Sequence, residues 1–578
     1  MADPVTDLSH QSFTLHPQLR IMDRRSTLEV LFTGWNSTRQ RTAIQKTAGG
    51  GGTLAPYTGP WNATTAAHLL RRTTFGPTQG ELDQAVQNGL SWTLNELFKK
   101  EPLPTPPINY YFNDDPYVPI GSTWIDAPYS ASANLKTHRN NSLFAWTVGI
   151  MLGNGLRLRE KMTLFWHNHF VTSRIDVNDP KYTYIYISLL RENALGNFRE
   201  LTKQITVDPS MLRYLNGNQS TAAKPNENYA REVMELFTIG KGPQVGPGDY
   251  TNYTEDDVLA LARVFTGWRE RGYNTQTPGV PVESYYTDSR HDKTTKQLSH
   301  RFNNAVITNG GDQEYKTAID IIFQQDECAR YICRKLYRWF VYYEIDADVE
   351  ANVIEPMAQT LIQHDYDISW PLFALLQSEH FYDDCIRGAM IKHPIDFVMT
   401  MLRQGGWFPG DDLNTKYRWW RLVYTNFDLL QMPYYAPPSV AGWKAWYQEP
   451  TYYQGWLNSV TLPNRANVAK TMTGRGIKLG NLYAPLPLLD WVASLDDPYD
   501  PIALIDELAA QLFPRNISDK KKEYLLEVLL PGLPEYEWTV EYGDYLANPN
   551  DEDLEKAVVN KLSNLISTMM QMPEYQLS

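Results

Sequence analysis

From residue 62 to the end of the chain, apolar side chains recur at three- and four-residue spacing in segments bounded by glycine and proline. That periodicity lines one face of an α-helix, and it leaves little room for the strict alternation a half-buried strand needs. The expected fold class is therefore all-α, built from many short to medium helices. The pattern predicts helices over 64–72, 80–100, 136–152, 156–169, 181–192, 197–206, 226–239 and 254–267, the last opened by a capping box of Thr254 and Asp257. Further helices are expected over 314–324, 326–343, 347–363, 368–379 and 389–403, with short ones again from 484 to 576. Residues 272–312 lose the periodicity and are rich in Thr, Tyr and Gly, so a small β-hairpin or irregular insertion is expected there. Residues 404–455, dense in Trp, Tyr and Pro, are expected to be irregular. No 20–50-residue repeat is visible, which argues against a solenoid.

A chain of 578 residues can bury a large core. Residues 1–52 are polar and end in Gly49-Gly50-Gly51-Gly52, so they are expected to form an N-terminal arm and flexible linker. The main helical domain is expected over 53–470, with a C-terminal helical region over 471–578 packed on it. Hydrophobic content of 42% with 21% charged residues belongs to a soluble globular protein. The 53 basic and 66 acidic residues leave a net charge of −13, which repels phosphate backbones, and no basic patch relieves it. Nucleic acid is therefore not an expected partner. The three cysteines form neither a CxxC nor a zinc spacing, which points to a reducing compartment. The N-terminus has no basic and apolar leader, so cytoplasmic localisation is expected. The most apolar stretch, 143–152, is too short to span a bilayer.

Chemistry-bearing residues concentrate in two places. Trp166-His167-Asn168-His169 closes the 156–169 segment. On a helix, residues two apart lie about 200° apart, so both imidazoles can face one ion only if the helix ends or distorts there. One reading has one imidazole packed inside and the other solvated; the other has both acting as metal ligands or proton carriers. The letters His-Asn-His also spell a nuclease motif, but its ββα-metal setting is missing. The second place is Asn226-Glu227-Asn228-Tyr229-Ala230-Arg231-Glu232-Val233-Met234-Glu235, with Asn226 as N-cap. Glu227, Arg231 and Glu235 share one helical face, with Glu232 beside them. That face is either a solvated surface with a Glu227–Arg231 pair or, with the 216–220 loop, an oxygen-rich cluster for a hard cation such as calcium or for sugar hydroxyls. His291, in Arg290-His291-Asp292-Lys293, is either a turn residue or a third ligand or proton carrier. Trp443 and Trp446 either pack inside or wall a binding cleft. No Gly-x-Ser-x-Gly elbow and no phosphate-binding glycine loop occurs.

Several longer motifs share one pattern: Thr73-Thr74-Phe75-Gly76-Pro77, the 161–170 stretch, 225–240, Ala262-Arg263-Val264-Phe265-Thr266-Gly267-Trp268, and Pro437-Pro438-Ser439-Val440-Ala441-Gly442-Trp443. Together they resemble the bacterial family catalogued as domain of unknown function eighteen hundred, from about residue 56 to 577. Leu54-Ala55-Pro56-Tyr57-Thr58-Gly59 is similar to the form found in Bacteroidota. The resemblance implies a predominantly helical protein and a frequent genomic neighbour that looks like an exported member of the sulfatase/alkaline-phosphatase-like superfamily, which makes that neighbour a candidate protein partner. It carries no established activity and transfers no catalytic residue. It also opens a second localisation, in which the chain leaves the cell folded with that partner.

These readings converge on a polar cleft between the 156–170 and 226–239 helices. In it His167, His169 and Glu227 would hold a divalent metal, Glu232, Glu235, Arg231 and His291 would act on substrate, and Asn226, Asn228, Trp443 and Trp446 would bind it. A metal-assisted hydrolase is the first expectation, because activating water needs no side-chain nucleophile. A non-enzymatic scaffold, or a carbohydrate- or partner-binding protein, is the alternative, and a calcium-stabilised structural subunit is a third.

Overall fold

Helices begin where the sequence supplies side-chain caps. Asn62 caps α1 (Ala63–Thr73) in a reciprocal box with Thr65, and Thr254 caps α5 (Glu255–Val264) in the box expected with Asp257. Each box satisfies amide groups that the first turn of a helix leaves free. The computed structural model describes residues 53–578. The predicted arm and linker over 1–52 lie outside the described residues.

Among the described residues the protein is mainly helical, with a few small two-stranded antiparallel sheets. Between α1 and α5 come α2 (Leu135–Leu152), α3 (Arg159–His169) and α4 (Glu227–Glu232), the last running directly into a π-helical turn, Val233–Thr238. After α5 follow α6 (Asp326–Phe340), α7 (Pro394–Gln404), α8 (Leu413–Leu429), α9 (Thr461–Thr473), α10 (Tyr536–Ala547) and α11 (Glu552–Gln571).

The aromatic stretch expected to be irregular contains a 17-residue helix, α8, which corrects that expectation. Its Trp and Tyr residues are poor helix formers in isolation. They are held by packing: α8 lies along α2, and the Tyr424 ring stacks on Phe144 at 4.3 Å and 10°. Burial outweighs propensity there.

The expected hairpin insertion is present as two ladders. β3 (Trp268–Arg271) pairs with β4 (Glu283–Tyr286), starting four residues before the predicted boundary at 272, and β5 (Lys296–Gln297) pairs with β6 (Val306–Ile307). Two further hairpins, β1 with β2 at 244–250 and β7 with β8 at 477–484, fall where no strand was expected.

Residues 53–578 belong to one compact unit. α11 packs on α9, and an isolated antiparallel bridge, Ile391 to Leu577, ties the residues before α7 to the last turn of the chain. Among the described residues no helix is long and apolar enough to cross a membrane.

Candidate functional site

The His-Asn-His stretch is the place where three distant segments meet. α3 continues through His169, so the two imidazoles diverge as helical geometry demands, and both are buried. His167 Nε2 donates to the Tyr434 carbonyl at 2.7 Å, and its Nδ1 faces the Tyr186 hydroxyl at 2.9 Å. His169 Nε2 donates to the Phe237 carbonyl at 2.9 Å, and its Nδ1 accepts a hydrogen bond from Lys335 Nζ at 3.1 Å. Between them, Asn168 Oδ1 accepts the Trp443 amide at 2.9 Å. Gly442 meets Asn168 so closely that an added Cβ would lie 2.4 Å from Oδ1, and its φ of +88° is one that glycine adopts freely. Two segments far apart in sequence, 434–443 and 233–240, are thus pinned on adjacent residues of a third.

The 226–239 segment is helical as expected, but its second half opens into the π turn. The last carbonyls of any helix lack internal donors. Here they are taken by side chains from elsewhere. Tyr331 Oη and Lys335 Nζ, one turn apart on α6, reach the Leu236 carbonyl at 2.9 and 3.0 Å. His169 takes the Phe237 carbonyl, and Asn252 Nδ2 donates to Ile239 and Gly240 at 2.9 and 3.1 Å. A cationic donor is favoured there by the partial negative charge of a helix C-terminus. Lys335 is half-buried, and burial, with Arg338 nearby, pulls its ammonium down to about 7. Burial likewise lowers His167 to about 4 and His169 well below its ordinary value, with Lys335 adding to the shift at His169.

The two predicted stretches therefore touch, but through imidazole and carbonyl and not through imidazole and carboxylate. Glu227 is exposed, 3.6 Å from Arg231. Arg231 makes a bidentate pair with Glu255 at 2.8 and 2.7 Å. Glu235 accepts from the Tyr253 hydroxyl at 2.8 Å. Glu232 is half-buried, and burial beside Glu235 pushes its carboxyl up to about 7. Asn226 caps α4 and its Nδ2 donates to the Leu215 and Asn216 carbonyls at 3.2 and 3.0 Å, while Asn228 is exposed.

The metal expectation does not fit this arrangement. The two histidines spend both ring nitrogens inside the fold, and their neighbours are carbonyls, a hydroxyl and an amine. Among the described residues no group of three or more His, Cys, Asp or Glu is placed to hold a metal ion. The alternative of one packed and one solvated imidazole is corrected as well, since neither is solvated.

His291 does not join the other two. It is buried with Nδ1 3.0 Å from the Thr266 carbonyl and Nε2 3.0 Å from Glu314 Oε2, and Glu314 also takes Lys296 Nζ at 2.5 Å. Burial raises the Glu314 carboxyl, but hydrogen bonds from His291, Lys296 and the Gly310 amide outweigh it and hold it below its ordinary value. Trp443 is buried against the His167 ring at 5.9 Å, and Trp446, half-buried, packs on Trp339 at 4.2 Å. These indoles fill the interior.

Sequence reading missed Lys335. One signal was present: Lys335 lies seven residues after Cys328 and three after Ile332, on the apolar stripe of α6. A lysine in such a position needs an internal acceptor.

A largely helical framework, interlocked through motif residues that bond to backbone, defines the class of protein. The chain belongs to the family described as Protein of unknown function (DUF1800), whose model matches residues 68–577. No curated protein and no solved structure matches it.

Proposed function

We propose that this chain is a binding protein for a hydroxylated, negatively charged molecule of sugar size. The observation that carries this is a cleft of about 450 Å³ lined by Tyr57, Asn62, Thr64, Thr65, Arg387 and Arg515, together with Pro60 and Asn516. Small-molecule sites fall in that size range. Arg515 Nε donates to the Arg387 carbonyl at 2.8 Å, which fixes the plane of one guanidinium in the wall. Guanidinium groups suit carboxylate, sulfate or phosphate, the Thr64 hydroxyl and the Asn516 amide suit sugar hydroxyls while Asn62 and Thr65 stay in the cap of α1, and a phenol ring offers a stacking face. A second cleft of about 260 Å³ shares Thr64, Arg515 and Asn516 with the first, so a ligand longer than one ring has room to continue.

Calorimetric titration with a uronate-containing disaccharide and with its neutral counterpart tests this reading. The acidic sugar is expected to bind, and Arg387→Gln with Arg515→Gln to weaken it at least tenfold. Equal binding of both sugars, or of neither, sinks it.

The interlocked motifs supply rigidity for such a binder. The sulfatase/alkaline-phosphatase-like partner implied by the family resemblance belongs to the same proposal, and co-purification with the purified partner tests it; an association with an exported protein would require this chain to travel folded with it. A second reading, an acid–base site on the α4 face, is favoured by one feature: burial, with Glu235 alongside, pushes the Glu232 carboxyl up to about 7.

A further inference from the structure

Around the start of α7 the interior gathers more basic side chains than acidic ones. Arg72, Lys161, Lys392 and Arg465 all act on one carboxylate, Asp396, and Arg71 stands beyond Lys392. Every one of these residues is more than nine-tenths buried. Asp396 is already committed: both of its oxygens lie 2.5 Å from Lys161 Nζ, and His393 Nε2 is 3.0 Å from Oδ2. Taking a cation out of water is costly unless an anion or a full set of acceptors replaces the solvent.

The backbone satisfies part of this group. Arg72 reaches the Val341 and Ile386 carbonyls at 3.1 and 2.9 Å, and Arg71 reaches those of Ala510 and Gln511 at 3.0 and 2.9 Å. Arg465 reaches the Lys392 carbonyl at 2.8 Å and Gln576 Oε1 at 3.1 Å. Those bonds leave several enclosed donors without a hydrogen-bond partner: Arg71 Nε and Arg72 Nε on α1, and Lys392 Nζ, Arg465 Nε and the Tyr575 hydroxyl towards the end of the chain. The last three converge. Lys392 Nζ lies 3.9 Å from the centre of the Tyr575 ring, Arg465 binds Gln576 next to that tyrosine, and both Arg465 and Tyr575 pack on Phe397.

We infer that Lys392, Arg465 and Tyr575 bind one small inorganic anion of the halide class inside the protein. The donors arrive singly, from an ammonium, one guanidinium N–H and a hydroxyl. That arrangement suits a spherical acceptor, whereas planar oxyanions take paired N–H groups from one guanidinium. The anion would bridge residues preceding α7, helix α9 and the last turn of the chain, and so would fasten the C-terminal segment to the main body.

Crystals of the full chain grown in sodium bromide, with data collected at the bromine edge, test the assignment. An anomalous peak in contact with Lys392 Nζ is expected, together with a melting temperature several degrees higher in chloride than in gluconate at equal ionic strength. Lys392→Met should abolish the halide dependence, and Lys392→Arg should retain it. If the methionine variant does not fold, Tyr575→Phe should still weaken halide stabilisation several-fold. No anomalous density, or a melting temperature indifferent to halide, would overturn the inference, as would undiminished halide stabilisation in Lys392→Met. Loss of saccharide binding in the Arg387 and Arg515 variants reads a different site and leaves this one untouched.

Discussion

Lys335 Nζ donates to His169 Nδ1 at 3.1 Å while His169 Nε2 holds the Phe237 carbonyl at 2.9 Å, so one amine and one imidazole together close the end of the π turn. Lys335→Met would keep most of the packing and leave the Leu236 carbonyl short of its ammonium donor. The expected cost is about 1–3 kcal/mol, read by urea unfolding. The same pair has a pH signature. The Lys335 ammonium is lowered to about 7 in the folded protein. The unfolded chain therefore binds more protons than the folded one from about pH 7 up to the ordinary lysine range, and stability rises with pH across that window. The gain is at most about 1.4 kcal/mol per pH unit. Subtracting the Lys335→Met profile from that of the parent should isolate it, and superimposable profiles would remove Lys335 as its source.

How much of this was legible depended on whether the deciding atoms belong to side chains. The start of α5 was readable because Thr254 and Asp257 cap it locally. The divergence of His167 and His169 followed from helical geometry, since α3 does not stop before them. Their partners did not follow. The atoms they meet are the backbone carbonyls of Tyr434 and Phe237, which no residue identity announces. The π turn was equally hidden, because a shift of bonding to the fifth residue leaves the apolar spacing of 233–237 unchanged. Helix α8 was hidden for a different reason: its aromatic residues gain their helical state from stacking on α2.

Asn168 links α3 to the Trp443 motif by a single acceptor oxygen. Asn168→Ala should cost about 1–3 kcal/mol, because the Trp443 amide then loses its partner. Asn168→Asp keeps an oxygen in place and should cost less. Chemical denaturation of both variants would show the order, and an alanine variant as stable as the parent would deny the link any weight.

The buried Lys296–Glu314–His291 group should be sensitive to removal of its central charge. Glu314→Gln leaves Lys296 buried without its counter-charge, and an ion pair broken in this way typically costs about 3–5 kcal/mol. The carboxyl is held below its ordinary value in the fold, so its stabilisation is present above the unfolded carboxyl range and disappears as acid takes the pH through the folded value. Acid unfolding followed by tryptophan fluorescence should begin at higher pH in the parent than its neutral-pH stability would suggest, and the glutamine variant should lack that contribution.

Glu232 behaves in the opposite sense. Its carboxyl is raised to about 7 by burial, with Glu235 adding repulsion and Arg231 opposing. Between the unfolded carboxyl range and about pH 7 the folded state holds the extra proton, so its contribution to stability is complete below that range and is lost as the pH climbs through 7. Glu232→Gln mimics the protonated form and should flatten this decline, raising stability at pH 8 more than at pH 4. Because Glu232 is half-buried and partly reached by solvent, the gain at pH 8 is expected to be about 1–2 kcal/mol, below what full burial would give. Carbon-13 labelling of glutamate, read by NMR from pH 3 to 9, should show one carboxyl titrating near neutrality and missing from the variant. If every glutamate titrates below pH 5, the raised proton affinity is absent and the acid–base reading of the α4 face goes with it.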